Sequence, residues 1–554
     1  MLGLMQTQPL LISSIVRHAA RHHGTAEVVS VLGEGSRHRS NYAEVERRAR
    51  RLARVLERLG ARPGDRLATL AWNTHRHLEL FYAISGSGAV CHTVNPRLAP
   101  DDIAYIMTHA GDSVVFADAS FAGLIETIAP AVAACVRAVV VMAGPEEMPA
   151  PRLPSGMALY CYETLMGEAD EAYDWPSFDE NTAAALCYTS GTTGRPKGVL
   201  YSHRSTLLHA MAANTADYFG LRAVDRMLPG APMFHAAAWA VPYVAPMVGA
   251  ALILPGRHLD PASLVRLLNE ERATYTGAVP TVWLAVLTHL RETGQQLPYL
   301  KRIFSGGSAV PRAMIEGFAA YGVEVQQAWG MTETSPLVTA YAPLPQTAGL
   351  SGEDATRLRL KQGRPVFGTE IKIVDAEGRD LPWDGVAFGD LLVRGPWICR
   401  EYLGRGAEGA ADKDGWFATG DVATINPNGF VELVDRSKDV IKSGGEWISS
   451  IALENIAVSH PDVAEAAVIN ARHARWMERP LLLVLPKPDR SVDPASVLAL
   501  YEGKVAKWWL PDAVIVVDEL PHTATGKLNK VALRQRWQDY LLGQQGGQVA
   551  SGPT

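Results

Sequence analysis

Residues 183–198 read AAALCYTSGTTGRPKG, an apolar run that gives way to glycines, hydroxyl residues and one lysine. A short apolar run bounded by turn residues reads as a buried strand. The stretch from Thr189 to Gly198 then reads as an anion cradle. Gly191 and Gly194 let successive backbone N–H groups turn toward one point. The hydroxyls of Thr189, Ser190, Thr192 and Thr193 add donors, and Lys197 adds a point charge. The loop is not a Walker A motif, because Pro196 and Gly198 flank Lys197 where that motif needs glycine and then Ser or Thr. A buried strand ending in such a loop predicts an open α/β sheet with its ligand beyond the carboxyl ends of the strands.

The surrounding sequence extends that pattern. Residues 41–60 place apolar positions at helical spacing and stop at Gly60, and RLATLAWN (66–73) follows as a strand. A helical stretch through His77–Ser85 and a strand–helix–strand reading of 92–118 continue the alternation. Apolar runs around 138–144, 250–256 and 301–307 end in glycine turns. From about Gly368 the texture changes to short strands with turns between them, which predicts a β-rich subdomain. After Asp435, helix (448–460) and strand (464–470, 480–486, 513–519) readings predict a small α+β domain. The expected fold class is therefore α/β: layered α/β subdomains plus a β-rich subdomain over 1–434, then a small α+β domain over 439–543. The polar, glycine-rich tail 544–554 is expected to lack fixed structure.

Composition narrows the function. The chain has 554 residues, so one small module is excluded. Lys and Arg number 52 against 58 Asp and Glu, a formal charge of −6 without a block of like charge, which argues against nucleic-acid binding. Cys91, Cys135, Cys161, Cys187 and Cys399 form no C-x-x-C pair, so neither a disulfide framework nor a structural zinc site is expected, and a reducing cytoplasmic setting is. The N-terminus has no basic region before its apolar stretch, so no signal peptide is expected. The most apolar window, 234–255, is broken by Pro242, Pro246 and Gly249 and reads as buried core, not as a membrane span.

The loop at 189–198 resembles the phosphate-binding signature of the acyl-adenylate-forming superfamily, which includes acyl-CoA synthetases and peptide-synthetase adenylation domains. Further matches follow in order across nearly the whole chain: Pro232-Met-Phe-His235, Ser305-Gly-Gly-Ser308, Trp329-Gly-Met-Thr-Glu333, Thr419-Gly-Asp421, the stretch DRSKDVIKSGGE at 435–446, and Thr525-Gly-Lys527. MFHAAAW, GVLYSHRS, IKSGGEWISS and LPDA most resemble bacterial medium- and long-chain fatty-acid–CoA ligases.

The resemblance implies activation of a fatty acid with ATP to acyl-AMP, releasing pyrophosphate, then transfer to CoA. ATP, Mg²⁺ and CoA are the implied cofactors and co-substrates. Charge spreads over phosphate oxygens in such a displacement, so positioned cations and N–H donors matter more than a protein nucleophile. The phosphate loop, with Ser190, Gly191, Thr192, Thr193, Gly194 and the catalytic Thr189 and Lys197, is implied to hold the β- and γ-phosphates. Glu333 is implied to bind Mg²⁺, an oxygen-seeking cation. Asp421 is implied to receive the ribose hydroxyls, with Arg436 as a second ribose or phosphate contact. Gly306, Gly307, Ser308, Trp329, Gly330, Met331 and Thr332 are implied to line the nucleotide slot. Lys527 is the implied cation between the substrate carboxylate and the α-phosphate. In the family the small domain swings about a hinge that matches 435–438, at Lys438, and presents Lys442, Ser443, Gly444, Gly445 and Glu446 for the CoA half. A homodimer is also implied.

His235 and Trp239 border the implied acyl site. His235 is read as covering the carboxylate end or gating CoA, and Trp239 as a plug or a swinging gate. A short thioether acid such as 3-methylmercaptopropionate, or a carrier-protein or amine acceptor, stays open as an alternative. Two departures from the family pattern stand out: the family's P-R-T is Pro521-His-Thr523, and 472–480 lacks the common glycine–acid pair.

Overall fold

The structure, a computed structural model, describes residues 1, 3–33, 35–189, 195–406, 411–443, 446–522 and 528–545. Strand Ala183–Tyr188 lies in a seven-stranded sheet in the spatial order Ala158–Cys161, Ala138–Met142, Asp112–Asp118, Arg66–Leu70, Val90–Thr93, Ala183–Tyr188, Gly198–Ser202. Every pairing is parallel except the last, where the chain returns antiparallel after the phosphate loop and pairs Tyr188 with Gly198. The strands on either side of 189–197 thus pair as a hairpin at the sheet's edge.

A nine-stranded sheet runs from Arg364–Pro365 to Arg37–Asn41. Its centre is parallel: Glu324–Gly330, Arg302–Ser305, Tyr275–Ala278, Arg226–Pro229, Ala251–Leu254 and Glu27–Val31. Helices cover both faces of each sheet. One buried cluster joins helices Ile12–His22, Tyr42–Arg58, His75–Gly86 and Val241–Val248 to residues of both sheets, so these helices fill the space between them. Separate cores lie under the outer helices of each sheet. The expected layered α/β class is the observed one.

Local rules explain the element ends. Helix Tyr42–Arg58 starts where the Asn41 side chain accepts the Glu44 N–H, and stops where Gly60 takes φ +74°. The apolar window 234–255 is core: helix Val241–Val248 ends at Gly249 with φ +76°. The β-rich subdomain is a four-stranded antiparallel sheet, Glu370–Val374, Phe388–Arg394, Phe417–Ile425 and Val431–Arg436. The last sheet gathers Ile441–Ser443, Glu446–Ile448, Met477–Pro486, Val463–His473 and Ala513–Val516, with helix Ser450–Ala457 packed on Val463–His473.

Candidate active site

A cleft of about 2630 Å³ opens where the segments after strands Arg226–Pro229, Tyr275–Ala278 and Arg302–Ser305 meet the antiparallel sheet and the C-terminal sheet. Thr189, Lys197, His235, Trp239, Gly306, Gly307, Ser308, Trp329, Gly330, Met331, Thr332, Glu333, Asp421, Arg436 and Lys438 all line it. Lys442 and Ser443 are not part of this wall. Ser190, Gly191, Thr192, Thr193, Gly194, Gly444, Gly445 and Lys527 lie outside the described residues.

The ends of the phosphate loop are fastened from both sides. Thr189 N–H donates to the Lys197 carbonyl at 2.9 Å, and Lys197 N–H donates to Thr189 Oγ1 at 3.1 Å. Helix Pro100–Ala110 holds the flanks: His109 Nδ1 lies 2.6 Å from the Tyr188 hydroxyl, and the Arg195 guanidinium sits 4.7 Å over the Tyr105 ring.

Asp421 is a buried carboxylate with both oxygens directed. Arg436 Nε lies 2.8 Å from Oδ1, and Trp329 Nε1 donates to Oδ2 at 3.2 Å. Strand pairing sets this up, because Asp421 and Arg436 are register partners in the antiparallel sheet. A carboxylate's two oxygens both accept, so an acceptor pair held this way suits a vicinal diol. Trp329 is therefore tethered to the candidate ribose site through its N–H. Gly330 next to it has no alternative, since a Cβ there would meet the Pro336 carbonyl oxygen at 1.6 Å.

Glu333 is buried at the cleft floor and takes the Tyr402 hydroxyl at 2.6 Å on Oε1. The same tyrosine ring lies under Lys197, whose Nζ is 4.7 Å from the ring centre. Burial, reinforced by the Glu333 carboxylate, pushes the Tyr402 hydroxyl well above its ordinary value, so it stays a donor. Sequence reading missed Tyr402, and nothing in CREYLGRG (399–406) marks it; only the fold brings it between the loop lysine and Glu333. The donor set fits Mg²⁺. Glu333 offers hard oxygen, and among the described residues no group of three or more His, Cys, Asp or Glu forms a protein cage. Mg²⁺ ordinarily takes one or two carboxylates and leaves the rest to substrate phosphates and water. Cys399 donates its backbone N–H to the Glu333 carbonyl at 2.7 Å, but burial and then the Glu333 charge push its thiol up to about 12. It is not a thiolate nucleophile.

The wall of the cleft after His235 is a left-handed turn. Ala236, Ala238, Trp239 and Ala240 have φ of 39°, 52°, 54° and 66°. Such backbone costs L-residues about 1–2 kcal/mol each. The Trp239 ring lies against strand Tyr275–Ala278, where a Cβ on Gly277 would come 3.8 Å from it.

Beside the C-terminal sheet, His522 and Leu528–Lys530 line the cleft. Lys442 and Ser443 face elsewhere. Lys442 N–H donates to Glu478 Oε2 at 2.8 Å, its Nζ lies 5.3 Å over the Trp447 ring, and Ser443 Oγ takes Arg479 at 3.2 Å. Strands Ile441–Ser443 and Glu446–Ile448, on either side of 444–445, pair antiparallel.

Two family models match the chain: that of AMP-binding enzymes over residues 15–403, and that of the AMP-binding enzyme C-terminal domain over residues 452–527. The 3-methylmercaptopropionyl-CoA ligase of Ruegeria lacuscaerulensis is 50% identical over 544 residues, 98% of this chain and 100% of that protein. The medium-chain-fatty-acid–CoA ligase of Ectopseudomonas oleovorans is 49% identical over 98% of each chain. The crystal structure of ATP-bound MatB from Rhodopseudomonas palustris matches with a TM-score of 0.79 at 26% identity, covering 96% of this chain and 99% of that one.

Proposed function

Because this chain belongs to the AMP-binding enzyme family, we propose that it is an AMP-forming acyl-CoA synthetase for medium- to long-chain fatty acids. A substrate carboxylate oxygen attacks the α-phosphorus of ATP and pyrophosphate leaves. The CoA thiolate then attacks the acyl carbon and AMP leaves. The observation that carries the reading is one cleft holding a tethered Asp421 for the ribose and a Lys197–Tyr402–Glu333 stack for the phosphates.

The proposal assigns the following roles. Asp421 takes the ribose hydroxyls, with Trp329 and Arg436 fixing its orientation. Gly306, Gly307 and Ser308 bring backbone close to the base. Thr189 and Lys197 hold the leaving phosphates, with Ser190–Gly194 of the same loop. Mg²⁺, held by Glu333, neutralises phosphate charge when bound. Lys527 meets the substrate carboxylate and α-phosphate. His235 stands at the carboxylate end of the acyl site, and Trp239 limits its depth. For the second half the small domain, 439–543, turns about Lys438 and brings Lys442, Ser443, Gly444, Gly445 and Glu446 to the CoA path. Among the described residues no helix is long and apolar enough to cross a membrane. A cytoplasmic homodimer completes the proposal.

A second reading, a ligase for a short thioether acid, is favoured by the relative from Ruegeria lacuscaerulensis and by Trp239 at the pocket wall. One assay separates the two: AMP and pyrophosphate release from Mg-ATP over straight-chain acids and 3-methylmercaptopropionate, with and without CoA. A fatty-acid pocket gives CoA-dependent AMP whose kcat/KM rises about fourfold per methylene, from ~0.8 kcal/mol per buried CH₂, up to a limit. A preference for the thioether acid with a falling chain-length series selects the second reading. Pyrophosphate release indifferent to CoA rejects both.

A further inference from the structure

Strand Phe388–Arg394 of the antiparallel sheet alternates in burial. Gly389, Leu391 and Val393 are buried, while Phe388, Asp390 and Leu392 lie on the other face. That face suits polar residues, yet its first position is a phenylalanine, still 39% exposed. Phe388 and Asp390 both reach toward the small domain and the turn that leads to it. Asp390 Oδ1 accepts the Ser437 hydroxyl at 2.8 Å, which seats the chain just before Lys438. The Phe388 ring meets the Trp447 ring, with 5.3 Å between centroids and 46° between planes. Such an inclined pairing is attractive beyond the area it buries.

Trp447 belongs to strand Glu446–Ile448, and its register partner is Lys442. The Lys442 ammonium lies 5.3 Å over the same indole, and the Lys442 N–H is held by Glu478. Lys442 and Trp447 therefore move as one unit of the small domain. Phe388 precedes the turn at 437–439 and Trp447 follows it. A rotation about Lys438 thus parts the two rings and leaves Lys442 with Trp447. In the present orientation the unit rests on Phe388, and neither Phe388 nor Lys442 is part of the cleft wall. A ring covered in one orientation and bare in the other biases the balance between them.

We propose that Phe388 is a positioning residue: it seats Trp447, and Lys442 with it, away from the cleft during adenylation, and so sets how often the enzyme passes to the thioester half. The inference rests on the assignment of Lys442 to that half.

The test follows each half alone in single turnover: pyrophosphate release from acid and Mg-ATP, and thioester formation from supplied acyl-AMP and CoA. Phe388→Ala should raise the thioester rate about three- to tenfold, the weight of one aromatic pair. Adenylation, which the present orientation already serves, should stay within about twofold of wild type. Phe388→Tyr keeps the ring and should restore the wild-type rates. In a Trp447→Ala background Phe388→Ala should change nothing further, because the seat acts through that ring. A merely structural role for Phe388 would slow both halves. That result, unchanged rates in both halves, or a full Phe388→Ala effect in the Trp447→Ala background overturns the proposal. Lys442→Ala separates the two ideas. If it slows thioester formation while Phe388→Ala alters neither half, only the seat falls; if it leaves thioester formation intact, the role of Lys442 falls and the inference with it.

Discussion

At Tyr402 the ring and the hydroxyl serve different neighbours: the ring underlies Lys197, while the hydroxyl donates to Glu333 at 2.6 Å. Tyr402→Phe keeps the first and removes the second. A hydrogen bond to a charged group is worth about 1.5–3 kcal/mol, so the change should cost about 10- to 100-fold where Glu333 is used. We expect slower pyrophosphate release and a higher Mg²⁺ concentration for half-maximal rate, with thioester formation from supplied acyl-AMP little changed. A Tyr402→Phe enzyme with an unaltered Mg²⁺ titration would remove the hydroxyl from the mechanism. Legibility at this scale divides sharply. Thr189, Lys197, Glu333 and Asp421 stand in dense motifs of unusual residue types and could be picked from the sequence. Tyr402 is one tyrosine among 17, and its importance arises from where the chain folds it.

Helix His203–Ala213 is docked by two neutral imidazoles that accept backbone N–H groups. His203 Nδ1 takes Ile12 N–H at 3.1 Å, and His209 Nε2 takes Leu337 N–H at 3.1 Å. An imidazolium cannot accept, and both rings are buried. Burial lowers their protonation to about 4 for His203 and about 3 for His209. A folded value below the unfolded one, near 6.5, means that the unfolded chain binds the extra protons as pH falls. Their stabilisation is complete above about pH 6.5 and declines by about 1.4 kcal/mol per pH unit for each ring below it. The urea midpoint should therefore drop between pH 7 and pH 5, and His209→Asn should show a shallower slope. An identical slope in the variant would exclude His209 as a contributor. The same elements show what the sequence concealed. Strand Arg37–Asn41, sequence RHRSN, carries no apolar alternation. It is held by antiparallel pairing with Glu27–Val31 and by Arg37 and Arg39 on Glu271, long-range partners that no local pattern announces. The strands and helices that were legible are those whose own apolar periodicity meets the core.

At the scale of the whole molecule, the turn at 437–439 joins the antiparallel sheet to the C-terminal sheet, and contacts cross it. The Ser449 hydroxyl donates to the Val434 carbonyl, and Ser450 N–H donates to Asp435 at 2.6 Å, with Asp435 itself buried. A rotation about Lys438 must part these pairs, because 434–435 lie before the turn and 449–450 after it. In the present arrangement the segment bearing His522 and Leu528 lines the cleft, while Lys442 and Ser443 stand away from it. The proposed assignment of Lys527 to one half-reaction and Lys442 to the other then calls for the turn to move in every cycle. Lys438→Pro fixes φ at the pivot and tests this directly. Single-turnover assays should find one half-reaction close to wild type and the other slowed by about tenfold or more, the effect of ~1.4 kcal/mol on a barrier, with steady-state acyl-CoA formation falling to the slower of the two. If both halves slow alike, or full turnover survives, the two sets of residues do not exchange places about Lys438.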